Sequence, residues 1–130
     1  MPTAKRFEEL ECWRKARGLT KVIYQATATG TFSKDFALRD QIRRAAISIM
    51  LNIAEGFARK TDKEFRQFLI HAHGSCAEVQ AALYVALDQG YLADEGFNAL
   101  YASAEEVSKM ILSLANYLSR PHSPSRSSGP

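Results

Sequence analysis

Arg66 and His71 are the residues whose types and spacing come nearest to an acid–base site. Four residues separate them in the sequence. A histidine can donate or accept a proton near neutral pH, and an arginine can hold a phosphate group through paired N–H donors. Arginine and histidine also occur at this spacing by chance. The alternative is an ordinary histidine at the surface or in an interface, and we favour that alternative.

The histidines and cysteines do not have the spacing of a metal site. Helical bundles that hold two iron ions use Glu-x-x-His pairs, and no glutamate lies three positions before His71, His73 or His122. His71 and His73 would project about 200° apart around a helix and cannot easily chelate one ion. Cys12 and Cys76 match neither a metal-binding pair nor a disulfide framework. We therefore predict no metal, no cofactor and no catalytic residue, with both cysteines reduced.

Polar side chains recur at helical spacing in two segments. The first line is Gln41, Arg44, Ser48, Asn52 and Glu55, and the second is Gln67, His71, Ser75 and Glu78. If the segments are antiparallel helices, Arg44 lies level with Ser75 to Glu78, and we predict an ion pair between Arg44 and Glu78. Such a pair specifies register and partner more than it stabilises. The predicted structural polar network comprises Arg44, Ser48, Asn52, Glu55, Ser75 and Glu78. The alternative is a ligand or catalytic site lined by the same groups.

A cluster of basic residues is the best candidate for binding a polyanion. An antiparallel arrangement of the helices described below would bring the cluster to one end of the molecule, and we call it the basic pole. Lys and Arg side chains that neutralise phosphates give salt-dependent binding of nucleic acid. The alternative is a solvated surface that keeps the protein in solution. The basic pole comprises Lys5, Arg6, Arg59, Lys60, Lys63, Arg66 and Arg120, diluted by Glu8, Glu9, Asp62 and Glu64, and Arg14, Arg17 and Lys21 add a second basic face.

Four stretches of the chain have apolar residues at spacings of three and four, which is the pattern of amphipathic helices. Ser33 is predicted to cap the second helix, and Thr61 with Glu64 forms a capping box for the third. No stretch alternates in the manner of a strand. The four helices are predicted over residues 7–27, 35–57, 62–89 and 94–118, and the short turns between them predict an all-α, antiparallel, up-down-up-down four-helix bundle.

The second helix has more apolar surface than one core can bury. Besides its core-facing stripe it carries a second line, formed by Ile47, Met50, Leu51 and Ala54. We call this line the outer apolar strip. A helix that is apolar on two sides in so small a protein needs a second neighbour. The outer apolar strip therefore predicts self-association, unless it is simply part of a wide core-facing stripe.

Length and composition are those of one globular domain. The chain has 130 residues, of which 46% are hydrophobic and 24% charged, and its net charge is +3. We predict a domain over residues 1–120 and a disordered tail, rich in Ser, Pro and Gly, over residues 121–130.

The sequence begins without an apolar signal region and has no run long enough to span a bilayer. The predicted location is therefore cytoplasmic, without a membrane partner.

The second helix also carries a family motif. Asn52-Ile53-Ala54-Glu55-Gly56 follows a run that contains Leu38, Gln41, Ile42, Arg43, Arg44, Ala45, Ala46, Ser48 and Ile49, and further matching points are Leu10, Trp13, Phe65, Phe68, Gly74, Ser75 and Glu78. This pattern resembles the bacterial four-helix-bundle family named for proteins encoded in 23S ribosomal RNA intervening sequences. The resemblance implies a homopentameric bundle with no established catalytic activity. A more distant resemblance is to the accessory protein of diversity-generating retroelements, a basic pentamer that binds nucleic acid and a reverse transcriptase.

Three functions follow from these observations. We predict first a non-enzymatic, homo-oligomeric binding or adaptor module, with RNA, DNA or a nucleic-acid enzyme as its partner. The second is a structural or protein-interaction module without nucleic acid. The third is a ribonuclease, because the spacing of Arg66 and His71 also resembles the Arg-x-x-x-x-His motif of the helical HEPN ribonucleases.

Overall fold

The computed structural model of this chain describes residues 4–121, and within that range the chain forms helices and turns without a strand. The four α-helices confirm the predicted fold class. No helix in the described range has the length and hydropathy needed to cross a bilayer. The helices are α1 (Glu11–Ala26), α2 (Phe36–Phe57), α3 (Asp62–Asp88) and α4 (Asp94–Leu118), with short 3-10 helices at Phe7–Glu9 and Thr31–Lys34. The predicted tail over residues 121–130 lies, apart from Pro121, outside the described residues.

The first helix begins later than its apolar pattern predicts. Phe7–Glu9 forms a 3-10 helix, and Leu10 is extended, with φ −74° and ψ 126°. This break turns the Leu10 side chain into the core, where it is buried. It also lets the Phe7 ring meet the edge of the Trp13 ring at a centroid distance of 5.0 Å. Burial of these apolar groups therefore determines where α1 starts.

The prediction that Ser33 caps the second helix is wrong. Asp35 is the N-cap of α2, and its Oδ1 accepts a hydrogen bond from the Leu38 N–H at 3.1 Å. The Ser33 hydroxyl instead donates to the Gly30 carbonyl at 2.6 Å. The cause is Phe32, which is buried and stacks on Tyr91 at a centroid distance of 5.3 Å. Burying Phe32 requires the 3-10 helix that contains Ser33, so the cap moves two residues along the chain.

The start of α3 follows its sequence signal more closely. The Thr61 hydroxyl accepts a hydrogen bond from the Glu64 N–H at 3.2 Å, which confirms Thr61 as the cap. The Glu64 carboxylate accepts from the Thr61 hydroxyl at 3.2 Å, rather than reaching the Thr61 N–H. The cap and the residue three positions later therefore bind each other through their side chains.

The helices form a square in which each contacts its two neighbours in an up-down-up-down order. α1 packs on α2 and α4, and α3 packs on the same two helices. Ser48 faces Ser75, and Phe57 lies beside Phe65 near the α2–α3 turn, so these two helices are antiparallel. One continuous core of buried residues runs through the bundle.

Gly56 lies where α2 and α3 pack too tightly for a side chain. A Cβ atom at this position would lie 2.8 Å from the Phe68 Cβ, 2.9 Å from the Phe65 Cδ1 and 3.2 Å from the Phe65 carbonyl oxygen. These separations are shorter than van der Waals contact, and one of the atoms belongs to the α3 backbone. The glycine that ends the Asn52–Gly56 motif is therefore a packing requirement of the fold.

Candidate functional site

Three of the six residues predicted for the polar network do form one. The Asn52 Nδ2 donates to the Ser48 carbonyl at 2.9 Å and to its Oγ at 3.1 Å, and the Ser48 and Ser75 hydroxyls lie 2.9 Å apart. The Ser75 hydroxyl also donates to the His71 carbonyl at 3.3 Å. Since a hydroxyl has one proton, Ser48 must donate to Ser75. The hydrogen bonds therefore run in one order, from Asn52 to Ser48, from Ser48 to Ser75 and from Ser75 to the His71 carbonyl. They satisfy polar groups between α2 and α3.

The predicted ion pair between Arg44 and Glu78 is absent from the part of the chain that the structure describes. Both side chains are exposed, and Glu55 instead pairs with Arg59 one helical turn away, at 3.6 Å. The reason is the close approach of α2 and α3, which leaves room between them for serines but not for long charged side chains. Charged groups keep their hydration by pointing outward, which avoids the cost of burial.

The structure brings the segments that carry the basic pole to one end of the bundle. These are the N-termini of α1 and α3 and the C-termini of α2 and α4. Part of the positive charge is offset, since Arg6 pairs with Glu8 at 3.0 Å. This bond lowers the pKa of Glu8 and raises that of Arg6. Arg59, besides its bond to Glu55, lies over the Phe68 ring at 4.7 Å.

Arg66 and His71 do not form a joint site in this geometry. Their positions on α3 are about 140° apart around the helix axis. His71 is exposed, whereas Arg66 is half-buried. The Arg66 Nε and the Asp62 Oδ1 are buried, and neither atom has a hydrogen-bond partner among the described residues. Arg66 is therefore turned partly into the protein, away from the direction in which His71 projects.

The outer apolar strip of α2 remains open to solvent in the single chain. Leu51 has 57% of its surface exposed, and Ile47 and Ala54 are half-buried. Met50 is also half-buried, but it packs against the core at the side of α2 that faces α1. Ile47, Leu51 and Ala54 are thus not part of the core-facing stripe, whose members Ile49 and Ile53 are fully buried, whereas Met50 belongs to the edge of that stripe.

A groove between α1 and α2 was not foreseen from the sequence. It is open to solvent, has a volume of about 690 Å³ and is lined on α1 by Trp13, Arg17, Gly18 and Lys21 and on α2 by Met50. We call it the α1–α2 groove. The signal in the sequence was the spacing of Trp13, Arg17 and Lys21, which are four residues apart. In the sequence, Trp13 was considered only as a matching point of the family motif and not together with Arg17 and Lys21.

The two thiols lie in the core and not in a reactive site. Burial raises the pKa of Cys12 to about 11 and that of Cys76 to about 12. Thiolate, the form that binds metals and attacks electrophiles, is therefore scarce at neutral pH. Among the described residues, no three His, Cys, Asp or Glu side chains come together as metal ligands.

The protein is thus of the class of antiparallel four-helix bundles. Small residues, namely Ser48, Ser75 and Gly56, lie in its α2–α3 contact. The chain belongs to the family of 23S rRNA-intervening sequence proteins, whose family model matches residues 8–113. The resemblance seen in the α2 motif is therefore confirmed. No curated protein matches the chain.

A solved structure supports the same fold. The chain is similar to a protein of unknown function from the S23 ribosomal protein family of Bacteroides thetaiotaomicron, with a TM-score of 0.73 and 21% identity. The similarity covers 80% of this chain and 97% of that chain. At this level of identity the two proteins share a fold.

Proposed function

We propose that this protein is a non-enzymatic, self-associating binding module, and that its ligand is a nucleic acid or an enzyme that acts on nucleic acid. Five copies are the assembly that the family resemblance implies, and we adopt that number. A cytoplasmic location, in which both thiols stay reduced, accompanies this function.

The observation that carries the proposal is the exposure of Leu51. A large aliphatic side chain with 57% of its surface exposed lies on the same face as Ile47 and Ala54. Apolar side chains that share one partly exposed helix face favour an interaction site there. Burial against a second copy would remove Leu51 from water and contribute on the order of 1 kcal/mol at this position.

Repetition around a symmetry axis supports the choice of ligand. In a cyclic assembly, each copy places its basic pole at the same end, so that the poles form a ring. A ring of Lys and Arg side chains attracts phosphates more strongly than one pole does. Lys5 and Lys63, which are exposed, contribute to it.

A protein-interaction role without nucleic acid is the second candidate. The pairing of Arg6 with Glu8 and of Arg59 with Glu55 favours it, because both pairs offset charge at the basic pole. We place the ribonuclease third, because the Arg66 Nε is buried whereas His71 is exposed. A shared phosphate would need both side chains to be accessible from the same side.

The self-association is tested by the change Leu51→Glu, measured by sedimentation equilibrium and by the binding of a labelled 20-nucleotide RNA. We expect the wild type to sediment as several copies and Leu51→Glu as a folded monomer, since a carboxylate cannot be buried in the interface without a partner. We also expect the monomer to bind RNA at least about tenfold more weakly, because it engages one site instead of several.

The matched control is Leu112→Glu, which introduces the same charge at an exposed leucine of α4. It should keep both the assembly and the RNA affinity. A wild type that sediments as a compact monomer would contradict the self-association. An assembly that binds no RNA at any salt concentration would leave only the second candidate.

A further inference from the structure

We propose that the α1–α2 groove binds an unpaired stretch of nucleic acid, with one base against Trp13 and neighbouring phosphates on Arg17 and Lys21. This inference rests on the proposed function. It adds the class of nucleic acid and a set of contact residues that lie outside the basic pole.

The basic side chains of the groove differ in whether they form hydrogen bonds or ion pairs within the protein. Arg14 is engaged, since its Nε donates to the Glu8 carbonyl at 2.8 Å and its guanidinium lies 3.5 Å from the Glu11 carboxylate. Arg17 and Lys21 are exposed and make no hydrogen bond or ion pair with any described residue. They are one helical turn apart and lie on the same side of α1. Two adjacent cations that form no hydrogen bond or ion pair with a described residue fit a ligand whose negative charges repeat at short intervals.

Trp13 supplies a surface on which a base can stack. Its ring is half-buried, with Phe7 against it at 5.0 Å in an edge arrangement. The Arg17 guanidinium lies 5.8 Å from the ring centroid, whereas the other three arginines that lie over aromatic rings are 4.4 to 4.8 Å away. Arg17 is thus loosely held and can move to a phosphate, which leaves an indole face free for a base. Aromatic residues beside cations are the usual way in which proteins hold unpaired bases.

Gly18 is a second feature of the groove that the fold does not explain. It lies in the interior of α1, where glycine is less favourable than alanine. A Cβ atom at Gly18 would meet nothing within 4 Å, in contrast to Gly56, where packing forbids it. The absence of a side chain leaves the α1 backbone open in the groove. A ligand can therefore approach the helix closely at this point.

The size and position of the groove favour a single strand over a duplex. Its volume of about 690 Å³ is in the range of sites that take a small molecule or a nucleotide. Bases in a duplex are stacked on one another and cannot offer a face to Trp13, whereas unpaired bases can. Glu8, which also lines the groove, is paired with Arg6, so its charge is partly offset.

The chain contains one tryptophan and five tyrosines, so fluorescence excited selectively at tryptophan reports on this site alone. We expect a 12-nucleotide oligouridylate to quench the fluorescence of the assembled wild-type protein, and inorganic polyphosphate to bind without quenching it. Gly18→Leu fills the groove and should raise the dissociation constant for the oligonucleotide at least about tenfold, as the loss of one stacked base would. Replacing Arg17 and Lys21 by alanine should lower the slope of log Kd against log salt by about 1.4, which is about 0.7 for each phosphate contact.

Gly74→Leu is the matched control, since Gly74 lies on α3 and is also open. It should leave binding unchanged. Oligouridylate binding that persists without quenching, or that Gly18→Leu does not weaken, overturns the groove site and leaves the proposed function standing. Equal quenching by polyglutamate would assign the groove to acidic protein segments and also overturns it. If Gly18→Leu fails to fold, the alanine changes at the exposed Arg17 and Lys21 decide the question.

Discussion

At the scale of single residues, Gly56 has the clearest structural role. It lies in the contact between α2 and α3, and a methyl group there would overlap the Phe68 side chain and the ring of Phe65. The neighbouring Asn52 is held by its hydrogen bonds to Ser48. These contacts explain two members of the family motif by packing and by hydrogen bonding within one chain.

Gly56→Ala should destabilise the protein despite the higher helix propensity of alanine. We expect a loss of about 1–3 kcal/mol in the free energy of unfolding, because the helices must move apart to admit the added methyl group. Gly74→Ala, at an open position in the interior of α3, should instead raise stability by up to about 1 kcal/mol. Urea unfolding followed by circular dichroism measures both changes. Equal effects of the two substitutions would show that the α2–α3 contact is looser than described.

The sequence predicts some of these residues and not others for a physical reason. Helical spacing places Ser48, Asn52 and Ser75 on facing sides of two helices, and short polar side chains at such positions have few partners besides one another. Arg44 has the same spacing but a long side chain, and solvation carries it outward. Spacing determines the face on which a residue lies, whereas reach and hydration determine its partner. The α1–α2 groove depends on two helices at once, so the spacing of Trp13, Arg17 and Lys21 on α1 could indicate a shared face but not the groove.

At the scale of elements, Asp35 connects two distant parts of the chain. Its Oδ1 caps α2, and its Oδ2 accepts a hydrogen bond from the Tyr91 hydroxyl at 3.0 Å, between the first and second halves of the bundle. This bond raises the pKa of Tyr91 above its ordinary value of 10.0. The protonated hydroxyl is therefore present at neutral pH, and the bond is lost only as the pH rises through that raised pKa.

Asp35→Ala should lower the free energy of unfolding by about 1 kcal/mol or somewhat more, because it removes both the cap and the acceptor for Tyr91. Ser33→Ala should have little effect, since Ser33 binds the Gly30 carbonyl and not the helix end. Tyr91→Phe removes the second bond alone and should give an intermediate loss. Thermal unfolding of the three variants at neutral pH shows whether the loss of stability is largest for Asp35→Ala, intermediate for Tyr91→Phe and smallest for Ser33→Ala. A larger loss for Ser33→Ala than for Asp35→Ala would restore the cap predicted from the sequence.

The predicted ends of α2, α3 and α4 agree with the structure to within one residue, whereas α1 begins four residues later than predicted. Apolar periodicity marks α1 to α4 because each must bury one face. The start of α1 and the cap of α2 depend on single apolar residues nearby, namely Leu10 before α1 and Phe32 before α2, and both are buried. Their burial is a property of the assembled core. Local residue preferences alone could not have located it.

At the scale of the whole molecule, the proposed ring of basic poles has a measurable signature. RNA affinity should fall as salt increases, and replacing Lys5 and Lys63 by alanine should lower the slope of log Kd against log salt by about 1.4 for a single strand. The control is Lys34→Ala, an exposed lysine just before α2, at the opposite end of the bundle. Fluorescence anisotropy across a salt series measures the three slopes. Affinity that does not change with salt would mean that charge at this end does not bind the ligand.

The buried thiols offer a way to measure local opening of the bundle. Cys12 lies on α1 and Cys76 on α3, so each is covered by side chains from different helices. Cys76 is fully buried, so a reagent that modifies sulfur can reach it only when helices separate, and its raised pKa slows the reaction further. The rate at which Cys76 becomes labelled therefore reports how readily the helices around it separate.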